Sequence, residues 1–236
     1  MIIFIDFDDV LFNTKLFKRK LIKVFLANGI SRKDFFESYY DYPFKTKKGL
    51  KKYDPWQQIK ALKEKYNLEE KKLIKDLENL LRNSKEFLFF DSKDFLKKFD
   101  KDFLILLSYG DNKFQEEKVK GSGLARYFFK IIIGDEDKAK LIQRFLVSHP
   151  PADGAGKKDP IFLLEDFPMH INVVKRKLPH VKIIRIKRRD GRYGDLPSLK
   201  PDFEAKNFKE AGRIIHYVSL QNKSQITPKR NYKQSR

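Results

Sequence analysis

The chain has 236 residues, no cysteine and a formal net charge of +20, from 52 Lys+Arg against 32 Asp+Glu. That length holds one large domain or a core with a smaller second lobe, and the missing cysteine excludes disulfides, thiolate metal sites and cysteine nucleophiles. No apolar run approaches a membrane span and Met1-Ile2-Ile3-Phe4 carries no basic leader, so a soluble, cytoplasmic protein without membrane contact is expected. The basic excess favours anionic partners: phosphorylated metabolites, nucleotides or nucleic acid. Its lysines are dispersed, as in the run Lys45 to Lys52, and a solvated surface accounts for them equally well.

The opening Ile2-Ile3-Phe4-Ile5 reads as a buried parallel strand that delivers Asp6 and Asp8 where it ends. Side chains two apart share a side of an extended chain, and the bend at the strand exit brings Asp8 over Asp6. Two crowded carboxylates repel unless a cation or a shared proton intervenes, which points to a divalent metal with one carboxylate free for nucleophilic or acid/base work. The competing explanation is that these Asp residues cap the next helix.

Helical patterns then follow one another. Leu16, Leu21, Val24 and Phe25 precede the stop Asn28-Gly29, and Ser31 with Asp34 opens a second helix through Phe35, Phe36, Tyr39 and Tyr40. Pro55 suits the first turn of a third, through Trp56, Ile59 and Leu62, and Leu68-Glu69-Glu70 opens a fourth through Leu73, Leu77, Leu80 and Leu81. From about Asn13 to Ser84 the chain reads as an α-helical lobe placed directly after the first strand.

Beyond it, strands and helices alternate. Phe103–Leu107 is a strand with Ser108-Tyr109-Gly110-Asp111 as its exit loop, followed by a helix over Lys113 to Lys120; Phe128–Ile133 is a strand ending at Gly134-Asp135, followed by a helix over Lys138 to Val147. After the Pro/Gly-rich stretch 149–156 come strands Ile161–Leu164, ending at Glu165-Asp166, and Val181–Ile186. The segment 190–195 is turn-rich, Phe208 to Val218 forms a further amphipathic helix, and the basic tail 221–236 has no periodicity and is expected to be disordered. Alternation of this kind implies an α/β fold with a parallel sheet and right-handed crossovers, flanked by helices.

Asp6-Phe7-Asp8-Asp9-Val10-Leu11, Leu107-Ser108 after a buried strand, Lys138 at a helix start and Leu164-Glu165-Asp166 stand in the order of the four motifs of the haloacid dehalogenase superfamily of phosphohydrolases, which the chain resembles from Met1 to about Arg188. The resemblance implies a Rossmann-like core, 1–12 and 85–220, with an inserted helical cap, 13–84. It implies Asp6 as nucleophile, forming an aspartyl-phosphate, and Asp8 as the acid that protonates the leaving alcohol and then activates water. It implies Mg²⁺ held by Asp6, the main-chain carbonyl of Asp8 and Asp166, with Glu165 a ligand itself or bonded to one. Ser108 and Lys138 would steady the transferring phosphoryl group, with Lys140 close enough in sequence to compete for that position. A second Asp at position 8 suits phosphatases; the family's dehalogenases lack it.

Weaker candidates are His170 at the rim, the cap aromatics Tyr39, Tyr40, Tyr42, Phe44 and Trp56 as stacking surfaces, and the run Lys187-Arg188-Arg189 as a phosphate attractor. The expected activity is Mg²⁺-dependent hydrolysis of a phosphorylated small molecule, with nucleotides among the candidates. The alternative is a basic nucleic-acid-binding or polynucleotide end-processing protein on the same scaffold, and weak polyanion binding is compatible with both.

Overall fold

Apolar β-branched and aromatic residues with no polar interruption make Ile2–Ile5 (β1) a strand that can be buried on both faces, and it takes the centre of the sheet. The computed structural model describes residues 1–40, 52–63, 65–66, 68–150, 159–198 and 200–224. Around β1 lie Leu104–Tyr109 (β2), Lys130–Gly134 (β3), Ile161–Glu165 (β4), Lys182–Ile186 (β5) and Phe203–Ala205 (β6), in the order β3-β2-β1-β4-β5-β6. Every pairing is parallel.

The period of two along the strands divides their side chains between two apolar layers. Ile3, Ile5, Leu104, Leu106, Phe162 and Leu164 pack with Asn112–Ser122 (α6) and Phe208–Ser224 (α9). Phe4, Ile105, Leu107, Leu163 and Ile183 pack with Lys138–Ser148 (α7) and Pro168–Lys177 (α8) on the other face. A register that sets Ile5 beside both Leu106 and Leu164 brings the carboxyl ends of β1, β2 and β4 level. Such strand ends, at the point where the order reverses, are where open α/β sheets bind ligands.

Between β1 and β2 run Thr14–Ala27 (α1), Arg32–Tyr40 (α2), Pro55–Lys63 (α3) and Glu70–Arg82 (α4), then the short Ser92–Leu96 (α5). No described residue of 13–84 joins the main sheet. The chain leaves and returns along antiparallel neighbours: Asn13 N–H donates to Phe87 O at 2.7 Å and Phe89 N–H donates to Leu11 O at 3.0 Å.

Several elements depart from the sequence reading. The sequence reading leaves α8 without an element, because it begins at Pro168 with no side-chain cap. The three residues of β6 are too short to show a period. Helix α9 runs on through Ser224, so the aperiodic tail cannot begin at 221; residues 225–236, most of the stretch 149–156 and Lys45 to Lys51 lie outside the described residues. No helix among the described residues is long and apolar enough to cross a membrane.

Candidate active site

Asp6 is the first residue beyond β1, and its backbone N–H still donates to Leu164 O at 3.0 Å, which locks it to the end of β4. There it meets Glu165 and Asp166: one carboxylate oxygen from each of the three lies within 4.8 Å of the others, and all three residues are buried. Lys138, one residue past the Asp137 that caps α7, reaches into this cluster. Its ammonium lies 2.7 Å from Asp6 Oδ1 and 2.5 Å from Glu165 Oε2. Lys140 is exposed, so Lys138 is the lysine that points inward.

Glu165 and Asp166 are not equivalent. Glu165 Oε1 accepts the backbone N–H groups of Asp166 (3.1 Å) and Phe167 (3.0 Å), while Oε2 faces Lys138 and lies 3.3 Å from His170 Nδ1. Asp166 Oδ2 is buried and has no hydrogen-bond partner among the described residues. A buried carboxylate oxygen without a donor is costly. Burial and the neighbouring Glu165, Asp6 and Asp9 charges push Asp166 well above the usual carboxylate range. Burial and Glu165 raise Asp6 to about 8, against the opposing pull of Lys138. Glu165 is itself buried, but the Lys138 charge overcomes desolvation and holds it low. An acidic triad with an orphaned oxygen and hard donors fits a cation such as Mg²⁺.

Asp8 is held apart by its own partners. The chain turns tightly here, with Asp9 at φ 58° and both Leu11 and Phe12 N–H donating to Phe7 O at 3.0 Å. Asp8 accepts Lys118 Nζ at 2.6 Å, Gln115 Nε2 at 2.8 Å and Thr14 Oγ1 at 2.9 Å. Desolvation opposes ionisation of Asp8, but Lys118 and Arg192 outweigh it and lower the group to about 2. Gly110, at φ 149°, allows this arrangement: a Cβ there would stand 2.8 Å from Gln115 Nε2. Two carboxylates two residues apart are thus driven in opposite directions, Asp6 toward the protonated form by burial and Glu165, Asp8 toward the ionised form by Lys118 and Arg192.

Ser108 lies within β2, not in an exit loop, because the β2–β3 ladder continues through Ser108↔Ile133 to Tyr109↔Gly134. It is buried, and its Oγ has no hydrogen-bond partner among the described residues. His170 lines the cavity, mostly buried, with its Nδ1 3.3 Å from Glu165 Oε2. Tyr39 and Tyr40 line the cavity too, whereas Trp56 packs edge-on against Phe114 beneath Lys113. Tyr42 and Phe44 lie outside the described residues. The expectation for Lys187-Arg188-Arg189 fails at its centre. Arg188 is buried and spent on Val10 O at 3.3 and 3.1 Å and on Asp91 Oδ2 at 2.9 Å, so it braces the fold.

The sequence reading does not single out Lys118, Gln115, Thr14, Lys18 or Arg192. Gln115 and Lys118 are three apart and share one helix face, a weak signal in a helix rich in charge. Arg192, from the loop after β5, pairs through Nε with the buried Asp9; an aperiodic loop offers nothing to find it by. All five surround a cavity of about 380 Å³ that also opens onto Asp6, Asp8 and Asp166.

No family model matches the sequence, and no curated protein does. Solved structures do resemble it. A haloacid dehalogenase-like hydrolase from Burkholderia xenovorans superposes with a TM-score of 0.68 at 13% identity, covering 91% of this chain and 94% of that one. The HAD-type hydrolase YfnB from Bacillus subtilis, solved bound to magnesium, gives 0.59 at 14% identity over 90% and 97%. L-2-haloacid dehalogenase from Xanthobacter autotrophicus gives 0.61 at 13% identity over 92% and 99%. The chain therefore has the haloacid dehalogenase-like fold.

Proposed function

We propose that the chain is a Mg²⁺-dependent phosphomonoester hydrolase that works through an aspartyl-phosphate on Asp6. The observation that carries this reading is the second carboxylate. Asp8 stands two residues beyond Asp6 and is held by Lys118, Gln115 and Thr14 in the lining of the same cavity. The dehalogenases of the family the sequence resembles have no acid at this place, and displacement of halide needs none.

Asp6 attacks phosphorus, and the bond to the leaving oxygen breaks while Asp8 passes it a proton drawn from Lys118. Asp8 then takes a proton from water and returns it to Lys118; the hydroxide attacks phosphorus, the bond to Asp6 breaks, and phosphate and the free carboxylate result. Lys138 uses two of its three protons on Asp6 and Glu165, and the third is available to a phosphoryl oxygen. The unpartnered Ser108 hydroxyl supplies another donor. Asp6, Asp166 and the main-chain carbonyl of Asp8 would hold Mg²⁺, and Glu165, already committed to Lys138 and two backbone N–H groups, would orient them. Bound there, the cation neutralises the carboxylates and the charge that builds on the phosphoryl oxygens.

A cavity of about 380 Å³ is of small-molecule size and favours a small phosphomonoester over a polynucleotide end. The test is hydrolysis of an aryl phosphate with Mg²⁺, with chelator and in Asp6→Asn, beside release of chloride from 2-chloropropionate. Activity should require the metal and vanish in Asp6→Asn, with no chloride released. Comparable rates in Asp6→Asn and the parent protein would overturn the mechanism.

A further inference from the structure

The lining of the cavity beyond its carboxylates has a definite chemistry. One wall is a continuous aromatic surface. Tyr39 and Tyr53 ring centroids are 4.7 Å apart, Tyr53 and Phe114 meet edge-on at 5.5 Å, and Phe17 joins Phe114 at 6.0 Å. Such a wall offers flat contact to a planar ring.

Two cations face the same space. Lys18, half-buried on α1, lies 3.9 Å from the Tyr39 ring centroid and forms no ion pair with a carboxylate of the described residues. Arg192 lines the same cavity from the loop after β5. Its Nε is committed to Asp9, while its terminal nitrogens donate to no described residue. The two are close enough that Arg192, after burial, contributes to lowering the Lys18 pKa. Of the other charges on the cavity, Asp6 is matched by Lys138, Asp8 by Lys118, and Asp111 by the N-terminus of α6 and Lys52 at 4.0 Å, while Asp166 keeps an oxygen without a partner among the described residues. Lys18 thus stands on the cavity without a carboxylate partner among the described residues, and Arg192, paired through Nε with Asp9, keeps its terminal nitrogens for a further acceptor in the same cavity as the aromatic wall.

We propose that the substrate is a planar aromatic phosphomonoester of mononucleotide size that carries a second anionic group, phosphate or carboxylate, received by Lys18 and the terminal nitrogens of Arg192. This rests on the phosphatase reading for the first phosphate. A charged hydrogen bond to the second anion contributes about 1.5–3 kcal/mol, which is about tenfold or more in affinity. Without a second anion, two like charges remain close together in a partly desolvated space.

The experiment measures binding by calorimetry in the full-length Asp6→Asn protein with Mg²⁺, so that nothing turns over. The probes are phenyl phosphate, 4-carboxyphenyl phosphate, adenosine 5′-monophosphate, adenosine 3′,5′-bisphosphate and glucose 6-phosphate. Each doubly anionic aromatic should bind about tenfold tighter than its singly anionic counterpart, and glucose 6-phosphate should bind weakest. Which of the two anions gains more identifies carboxylate or phosphate as the natural group. Lys18→Met in the same background should remove most of that advantage and Lys18→Arg should restore it. Equal affinity within each pair, or an advantage that survives Lys18→Met, would overturn the proposal. Wild-type protein that hydrolyses all five probes without preference would remove this inference and leave the phosphatase reading standing. Failure to hydrolyse any of them would remove the phosphatase reading, while the binding ratios would still decide the second-anion site.

Discussion

At the scale of single residues, the cluster at the ends of β1 and β4 is unbalanced as it stands. Lys138 answers Asp6 and Glu165, and nothing among the described residues answers Asp166 Oδ2. Burial and Glu165 raise Asp6 from 3.8 to about 8, so between those values the folded protein holds a proton that the unfolded chain has released. Stability of the metal-free protein should therefore fall as pH rises toward 8. His170, whose pKa burial lowers from 6.5, acts in the opposite direction below that value, which makes pH 6.5 to 8 the clean window. Mg²⁺ must displace those protons, so it should raise the melting temperature more at pH 8 than at pH 6. Thermal melts across this range with and without Mg²⁺ check it, and Asp6→Asn should lose the Asp6 part of the slope. A Mg²⁺ effect that is flat with pH would contradict the assignment. The residues of this cluster were legible because each stands at the end of an apolar run or opens a helix. Lys118 was not, since in a charged helix nothing in sequence separates a buried lysine from its solvated neighbours.

Among elements, α4 and α6 meet backbone to backbone at a glycine. A Cβ built on Gly121 of α6 would lie 1.9 Å from the carbonyl oxygen of Leu81, in the last turn of α4. Because the obstacle is backbone, no rotamer change relieves it. Gly121→Ala should force the two helices apart and destabilise the protein by at least about 1–3 kcal/mol, read as a lowered denaturant midpoint. A midpoint unchanged or raised, as helix propensity alone would give for Gly to Ala, would show that the contact is slack. The variant also bears on the cavity, because α6 carries both Gln115 and Lys118 to Asp8. The sequence showed both helices through their apolar spacing and stops, but it gave no sign that they touch. In the sequence Gly121 stands just past the helix expected over Lys113 to Lys120, and close backbone approach is decided by tertiary packing. The same holds for α8 and β6. A helix opened by proline without a cap and a strand of three residues carry too little local pattern to be separated from loop.

On the scale of the whole molecule, a net charge of +20 far exceeds what one phosphate pocket needs. Much of the buried positive charge is already matched within the fold. Lys118 pairs with Asp8, Lys138 with Asp6 and Glu165, and Arg188 with Asp91. The excess therefore lies elsewhere, on a surface that should bind polyanions weakly and without sequence preference. Binding of a single-stranded oligonucleotide that neutralises about five phosphates should weaken roughly a hundredfold between 50 and 200 mM salt, through loss of counterion release. Turnover of a small aryl phosphate should change far less, since its contacts lie in a partly enclosed cavity that salt screens poorly. Removing Lys229-Arg230-Asn231-Tyr232-Lys233-Gln234-Ser235-Arg236 should weaken the oligonucleotide further and leave aryl phosphate turnover unchanged. Fluorescence anisotropy titrations at several salt concentrations, beside steady-state kinetics, distinguish the two phenomena. A phosphorylated oligonucleotide hydrolysed with higher specificity than any mononucleotide at physiological ionic strength, with the advantage shrinking as salt rises, would instead make the basic surface part of substrate recognition. No binding at low salt would leave the lysines as a solvated exterior.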